Sequence, residues 1–219
     1  MNWDIILSDK ATIEAATGEE GRVSIHSSEA DEPAAELSFT VAGETYAFSA
    51  EVFFQANKFL IAELIDTAVG DAKGDTAVDL YSGVGLFTLP LARRFTKVIA
   101  VEDNPESAII AQKNIDNARL DNVKLVARSV EQFLRENMTT QIDFLLLDPP
   151  RAGTAKSVIP AIASLKPAVI SYVSCEPSIL ARDLRVFVDA GYKIESITAL
   201  DMFPQTHHVE TVVRLRAET

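Results

Sequence analysis

Apolar segments alternate with amphipathic segments through most of the chain after residue 58. Short apolar runs predict strands, whereas apolar residues spaced three and four positions apart predict helices. Apolar strands that alternate with helices indicate a parallel sheet covered by helices on both faces. The last two strands, joined by a short loop, are expected to form an antiparallel hairpin at one edge. The predicted strands are 76–79, 98–101, 123–126, 142–147, 168–173, 193–200 and 209–215, and the predicted helices are 58–69, one starting near 86, 105–118, 130–137, 155–165 and 177–190.

The first 50 residues have a different texture. Short alternating runs at 3–7, 22–25, 36–41 and 45–48 are separated by glycines and by an acidic stretch at 29–33. Such runs predict hairpins or a small β-meander. A segment of this size buries little core of its own, so it is expected to lie against the rest of the chain. We therefore predict a small β-rich segment at residues 1–50 and an α/β domain at residues 51–219.

Two asparagines mark predicted helix starts. Asn57 precedes the helix at 58–69, and Asn104 stands before Pro105 at the start of the helix at 105–118. Both are candidate N-caps, since asparagine accepts a hydrogen bond from a free backbone N–H there. Gln55 lies at the mouth of the first of these helices. Its amide is suited to a carboxylate or an amino group of a ligand, and the alternative is a loop glutamine that faces water.

The stretch 76–102 has the pattern strand, glycine turn, helix and strand. Gly83 and Gly85 allow a ligand to approach the backbone, and Glu102 ends the second strand, where it can accept hydrogen bonds from both hydroxyls of a ribose. Thr88 stands where the third glycine of a dinucleotide fingerprint would be, and no P-loop motif is present. S-adenosylmethionine, which has a ribose and a charged amino-acid group but no phosphate, fits this turn. The alternative is a glycine turn that only packs a helix on a strand.

Seven strands with a C-terminal hairpin favour one fold class over a plain dinucleotide domain. This layout is typical of class I S-adenosylmethionine-dependent methyltransferases, which have a Rossmann-like α/β fold. We therefore predict a seven-stranded, mostly parallel sheet with a C-terminal antiparallel hairpin, preceded by the small β segment.

Composition and charge limit the binding partners and the cellular location that can be expected. No apolar run in the 219 residues approaches the length of about 20 that a membrane span needs, and no signal peptide is visible. A cytoplasmic protein without membrane contact is expected. The net charge of −12 opposes binding to nucleic acid at long range, although local basic clusters occur. The chain has one cysteine, Cys175, which excludes an internal disulfide and a cysteine-based metal centre held by this chain alone.

Unusual polar motifs follow the predicted strands at their carboxyl ends, where open α/β sheets bind ligands. Asp148 follows the strand at 142–147, and Cys175 follows the strand at 168–173. Cys175 also precedes a predicted helix, whose dipole favours a thiolate, so we interpret it as a nucleophile. The alternative is a small buried hydrophobic residue.

The loop between the last two strands supplies further candidates. Glu210 is placed to act as a general base beside Cys175, although taken alone it would be an acid on an edge strand. His207 and His208 lack a third ligand at a plausible spacing, so no metal site is predicted. We expect His208 to have a structural or substrate-orienting role.

Five motifs carry a resemblance to a known family: FFQAN at 53–57, DLYSGVGLFTLPLA at 79–92, DPPRAG at 148–153, SCEPSILARDL at 174–184 and DMFPQTHHVE at 201–210. In order and spacing the chain resembles, over residues 53–216, the bacterial RNA uracil-C5 methyltransferases, which make 5-methyluridine in tRNA and rRNA. The resemblance implies S-adenosylmethionine as the methyl donor and RNA as the substrate.

The resemblance also implies roles for individual residues. Cys175 matches the nucleophile that adds to C6 of a flipped-out uracil, and Glu210 matches the base that then removes the proton from C5. Such an addition is needed because C5 of uracil is a poor nucleophile by itself. Phe53 resembles an aromatic residue that stacks near the target base. The positions that match cofactor contacts are Gln55, Tyr81, Glu102 and Asp148, and Gly83 joins them through the turn.

The chain departs from the family pattern in several places. Glu176 replaces a common asparagine beside the nucleophile, and Leu86 replaces a common cofactor-binding asparagine. The N-terminal RNA-binding barrel and the iron–sulfur ligands of some members have no counterpart, so tight RNA binding is expected to need a missing N-terminal module. Two other functions stay open: a methyltransferase acting on another target, such as an exocyclic nitrogen, and a non-catalytic module that binds the cofactor or a partner.

Overall fold

Four short strands at the start of the described chain form two antiparallel hairpins. The computed structural model describes residues 13–28, 33–135 and 141–218. The predicted strands at 22–25, 36–41 and 45–48 are confirmed, the predicted run at 3–7 and most of the acidic stretch at 29–33 lie outside the described residues, and the strand at 13–17 is an addition. The strands are β1 (Ile13–Thr17), β2 (Val23–Ser27), β3 (Leu37–Val41) and β4 (Glu44–Phe48), paired as β1–β2 and β3–β4.

A seven-stranded sheet forms the centre of the protein. Its order is β10-β11-β9-β8-β5-β6-β7, and β11 is antiparallel to both of its neighbours while the other pairs are parallel. The predicted mostly parallel sheet and the predicted hairpin are confirmed. However, β11 lies inside the sheet and β10 forms the edge, so Glu210 does not belong to an edge strand. The strands are β5 (Gly74–Leu80), β6 (Phe95–Glu102), β7 (Val123–Ala127), β8 (Phe144–Leu147), β9 (Val169–Ser174), β10 (Tyr192–Leu200) and β11 (Glu210–Ala217).

Helices cover both faces of this sheet. Successive side chains of a strand point to opposite faces, and β8 shows the consequence. Phe144 packs in a cluster with Leu64, whereas Leu145 packs in a second cluster with Ile162 on the opposite face. Residues 136–140, where the predicted helix at 130–137 would end, lie outside the described chain. The helices are α1 (Ile61–Val69), α2 (Thr88–Ala92), α3 (Pro105–Asn117), α4 (Val130–Arg135), α5 (Val158–Leu165) and α6 (Pro177–Asp189).

The two predicted N-caps have different outcomes. Asn104 caps α3, because its side chain accepts a hydrogen bond of 2.8 Å from the Ser107 N–H. The prediction for Asn57 is wrong, since α1 begins only at Ile61. The Asn57 side chain instead closes a local turn and donates a hydrogen bond of 3.4 Å to the Asp201 carbonyl. The side-chain oxygen that would cap a helix therefore serves this local turn.

The β3–β4 hairpin is fastened to the main sheet by buried polar contacts. Asn114 of α3 is fully buried and accepts a hydrogen bond of 2.7 Å from the Ala47 N–H. Its amide nitrogen donates to the carbonyls of Ala47, at 3.0 Å, and Val84, at 2.9 Å. Tyr46 is also fully buried and donates to the Leu86 carbonyl at 3.0 Å. The hairpin thus shares its buried contacts with the helices that follow.

Replacing Asn114 should destabilise the whole fold. In Asn114→Ala, the Ala47 N–H and two carbonyls lose their partners while still buried, so we expect the free energy of unfolding to fall by about 3 kcal/mol. Urea denaturation followed by circular dichroism measures this loss.

The matched control is Gln112→Ala on the same helix. Gln112 is exposed and bonds only Asp116 among the described residues, so its loss should change the free energy of unfolding by less than about 0.5 kcal/mol. Equal effects of the two substitutions would show that Asn114 does not hold the hairpin.

Candidate functional site

The carboxyl ends of the parallel strands and the amino end of β11 meet at one edge of the sheet. Because β11 is antiparallel, its first residue, Glu210, lies at the edge where β9 ends. Thr211 pairs with Ser174, which places Glu210 and Cys175 just beyond this pair on neighbouring strands. The structure therefore brings together the two residues that the sequence predicts as nucleophile and base.

Cys175 lies half-buried among charged groups. Its thiol accepts a hydrogen bond from the Arg151 side chain. Burial raises the pKa of Cys175, the Glu210 and Asp148 carboxylates raise it further, and the Arg151 guanidinium lowers it. The net shift is upward, so the expected preference for a thiolate is wrong for this state.

Glu210 is almost completely buried, with 3% of its surface exposed. Its Oε1 has no hydrogen-bond partner among the described residues. Burial raises the pKa of Glu210 to about 7. A carboxyl group with such a pKa exchanges its proton near neutral pH, as a general base requires.

Two further carboxyl groups continue the site toward the glycine turn. Asp79 at the end of β5 is fully buried, and it accepts a hydrogen bond of 2.5 Å from the Thr88 hydroxyl. Burial raises the pKa of Asp79 to about 7 despite this bond. Burial also raises the pKa of Asp148 well above its usual range, and Glu210 and Asp79 add to the shift. Asp148 therefore connects the reactive pair with the turn.

The turn after β5 has three residues with positive φ: Tyr81 at 63°, Gly83 at 54° and Gly85 at 94°. The Gly83 N–H donates a hydrogen bond of 2.7 Å to one oxygen of Glu102, and the Asn104 N–H donates one of 2.8 Å to the other. Burial raises the pKa of Glu102, while these two bonds lower it. No atom lies within 4 Å of the position that a Cβ on Gly83 would occupy, so the turn borders open space.

The remaining predicted residues differ in exposure. Gln55 is buried, with 6% exposed, and its Oε1 has no partner among the described residues. Phe53 is 68% exposed. The His208 ring contacts the His207 ring in a tilted arrangement, with centroids 3.9 Å apart. Burial lowers the pKa of His208, and Arg151 adds to the shift. His208 thus lies on the Cys175 side of the site.

Two residues of the site were missed by the sequence reasoning. Arg151 contacts the Cys175 thiol, and its place three residues after Asp148 in a motif at a strand end was the available signal. Asp79 was noted only as the residue that ends the first strand. Its complete burial and its unpartnered Oδ1 now place it in the site.

The described residues also bear on metal binding and on membrane spanning. No group of three or more histidine, cysteine, aspartate or glutamate residues in 13–28, 33–135 and 141–218 is arranged to hold a metal ion. Across the same residues, no helix has the length and apolar character needed to span a bilayer.

Comparison with known proteins agrees with the motifs. A family model described as tRNA (uracil-5-)-methyltransferase matches residues 29–218. An uncharacterized RNA methyltransferase of Synechocystis is 41% identical over 178 residues, which cover 79% of this chain and 38% of that protein. One of Streptococcus mutans is 36% identical over 181 residues, covering 80% and 40% respectively. The chain thus spans about 40% of the length of these relatives.

Solved structures share the architecture. The tRNA (uracil-54, C5)-methyltransferase of Pyrococcus abyssi, in complex with S-adenosyl-L-homocysteine, superposes with a TM-score of 0.78 and 27% identity. The match covers 92% of this chain and 58% of that one. TYW2 of M. jannaschii, at 18% identity and a TM-score of 0.60, shares the fold alone. With most of its length matched by the family model, the chain belongs to the tRNA (uracil-5-)-methyltransferase family.

Proposed function

We propose that the chain catalyses S-adenosylmethionine-dependent methylation of C5 of a uridine in RNA. The observation that carries this proposal is the juxtaposition of Cys175 and Glu210 at the sheet edge, joined through Asp148 to the glycine turn. Membership of the family supports the reaction. The complex of the Pyrococcus abyssi relative with S-adenosyl-L-homocysteine supports the cofactor.

The residues around the turn fit this cofactor. Glu102 has each oxygen fixed by a backbone N–H and can still accept hydrogen bonds from two ribose hydroxyls. Gln55 and Asp79 each have a buried oxygen without a partner among the described residues, suited to the amino group of the ligand. The buried carboxyl groups complement the positive sulfonium. S-adenosylmethionine, when bound, supplies an electrophilic methyl group.

Cys175 and Glu210 supply the covalent chemistry in this proposal. The Cys175 thiolate forms a bond to C6 of the uracil, and the electron pair of the C5–C6 double bond moves to C5 and the neighbouring carbonyl. C5 then accepts the methyl group that S-adenosylmethionine would supply, while the bond between this methyl group and the sulfonium sulfur breaks and S-adenosylhomocysteine leaves. Glu210 removes the proton from C5, the double bond forms again, and the bond between sulfur and C6 breaks.

The electrostatics of the site order these steps. The negative charge of Glu210 disfavours the Cys175 thiolate, whereas Arg151 favours it. When sulfur bonds to carbon, the negative charge moves from the thiolate to C5 and the carbonyl of the uracil, and it is neutralised when C5 accepts the methyl group. The carboxylate form of Glu210 then faces one repulsion fewer, so the base becomes available after the nucleophile has reacted.

The covalent step is tested with tRNA and rRNA fragments that carry 5-fluorouridine in place of uridine. A base can remove a proton from C5 but cannot remove fluorine in the same way, so elimination is blocked. We therefore expect a complex of protein and RNA that survives denaturing electrophoresis and requires S-adenosylmethionine. Cys175→Ala should abolish it. Glu210→Gln should instead accumulate the complex with unmodified RNA, because elimination stalls.

The matched control is Glu176→Gln, which changes a carboxylate adjacent to Cys175 in sequence. Hydrogen bonds from Ser178 lower the pKa of Glu176, whereas burial raises the pKa of Glu210. The two carboxyl groups therefore have different environments. We expect this variant to turn over without accumulating the complex. Methyl transfer to RNA that persists in Cys175→Ala would rule out the covalent route and favour another target atom.

The pH dependence of elimination should follow Glu210. Its pKa of about 7 lies above the usual range, so the protonated form predominates at lower pH and cannot take the C5 proton. With RNA labelled by tritium at C5, we expect the ratio of released tritium to covalent complex to fall as the pH decreases from about 8 to about 6.

Taking a ratio separates elimination from thiolate formation, which also weakens at low pH. In Glu210→Gln the ratio should be low and independent of pH over this range. A ratio that stays constant with pH in the unchanged chain would show that Glu210 is not the base.

A further inference from the structure

Phe59 is a large apolar side chain that the fold leaves in solvent. It is 84% exposed, although Phe54 and Leu60 of the same segment pack against the main cluster. Lys58 is exposed as well, and its ammonium nitrogen lies 5.4 Å from the centre of the Phe59 ring. Single apolar residues on a surface are ordinary, so the exposure alone carries no function.

Backbone hydrogen bonds fix the segment that presents this ring. The Lys58 N–H donates to the Ala56 carbonyl at 3.1 Å, and the Leu60 N–H donates to the Asn57 carbonyl at 3.1 Å. The Phe59 N–H donates to the Asn57 side chain at 3.3 Å. With α1 anchored immediately afterwards by the fully buried Ile61, the segment is held in one conformation.

The same segment is continuous with the candidate site. The Asn57 amide donates a hydrogen bond to the Asp201 carbonyl, which begins the loop that carries His207 and His208. Phe53, the predicted partner of the target base, and Lys58 both line one cleft of about 350 Å³. Phe59 therefore comes directly after residues that line this cleft and that contact the start of the histidine loop.

We propose that Phe59 and Lys58 form a nucleotide platform for substrate RNA, on which an unpaired base next to the methylated uridine stacks while the ammonium group contacts its phosphate. This inference rests on the proposed function and extends its substrate site by one nucleotide. Phe59 supplies the flat apolar face, and the nearby lysine supplies the charge. Single-stranded nucleic acid is bound by this combination of aromatic rings and cations.

The chemistry of the surroundings favours RNA over an apolar protein segment as the occupant. A protein partner would require a contiguous apolar surface, whereas the exposed Lys58 stands directly beside Phe59, with its ammonium nitrogen 5.4 Å from the centre of the ring. A base whose neighbour has left the stack exposes a π face, which a phenyl ring can cover. The platform also adds a local positive charge to a chain whose net charge is −12.

The test measures non-covalent binding in the Cys175→Ala background, so that no adduct contributes. Fluorescence anisotropy with a labelled, unstructured RNA of about ten nucleotides that contains uridine reports the dissociation constant. Phe59→Ala should weaken binding about fivefold to a hundredfold, the range of one stacked base. Phe59→Trp should retain the affinity, whereas Phe59→Leu should lose it, because leucine is apolar but has no flat ring.

Two more variants complete the design. Lys58→Gln should lower the dependence of the affinity on salt by about one unit in the slope. Ile197→Ala removes another exposed apolar residue, 61% exposed on the edge strand β10, and should leave the affinity unchanged. Full affinity in Phe59→Leu would assign the surface to an apolar protein partner. Unchanged affinity in Phe59→Ala, or no measurable binding of RNA by the chain, would overturn the platform.

The platform and the proposed reaction can fail separately. If Phe59→Ala weakens RNA binding but the unchanged chain never forms an adduct with 5-fluorouridine RNA, the platform stands and the covalent reaction falls. If adduct forms and Phe59→Ala changes neither the affinity nor the RNA concentration needed for half-maximal adduct, the reaction stands and the platform falls.

Discussion

The burial of carboxyl groups at one edge of the sheet is the constraint on which the site depends. Asp79, Asp148 and Glu210 all have raised pKa values, and burial is the largest cause in each case. Removing a carboxylate from water without a full set of partners destabilises a fold by several kcal/mol in general. The surrounding strands tolerate this because their apolar clusters on both faces supply the stability elsewhere. A site of this kind gains most from a ligand that carries positive charge.

The antiparallel strand β11 makes the reactive pair possible. In a purely parallel sheet every strand would present its carboxyl end at this edge, and a residue at the start of a strand would lie at the opposite edge. Because β11 runs the other way between β9 and β10, its first residue meets the last residues of β9. Cys175 and Glu210 thereby come together although 34 residues lie between them in the sequence. Thus one reversed strand places Glu210 beside Cys175.

Local patterns predicted the elements, while distant contacts decided what the patterns missed. Apolar runs located all seven strands of the sheet, and the Asn104 cap followed from the residues around it. Asn57 has the same chemistry as Asn104, but its amide meets the Asp201 carbonyl and α1 starts later. The position of β11 inside the sheet could not be predicted from the sequence either. Two adjacent apolar runs predict a hairpin, but they do not indicate which of its two strands pairs with β9. Pairing order depends on packing across the whole domain.

The pKa of Cys175 is a second property that local sequence patterns could not predict. The sequence located the thiol at a strand end before a helix, which argues for a stabilised thiolate. The sign of the pKa shift depends instead on burial, on Glu210 and on Arg151, of which only burial has a local signal. Since Arg151 is the one positive group among the causes of that shift, the thiolate depends on this single contact until a cationic ligand arrives. Binding of a positively charged methyl donor would then lower the pKa of the thiol and prepare the nucleophile only when the donor is present.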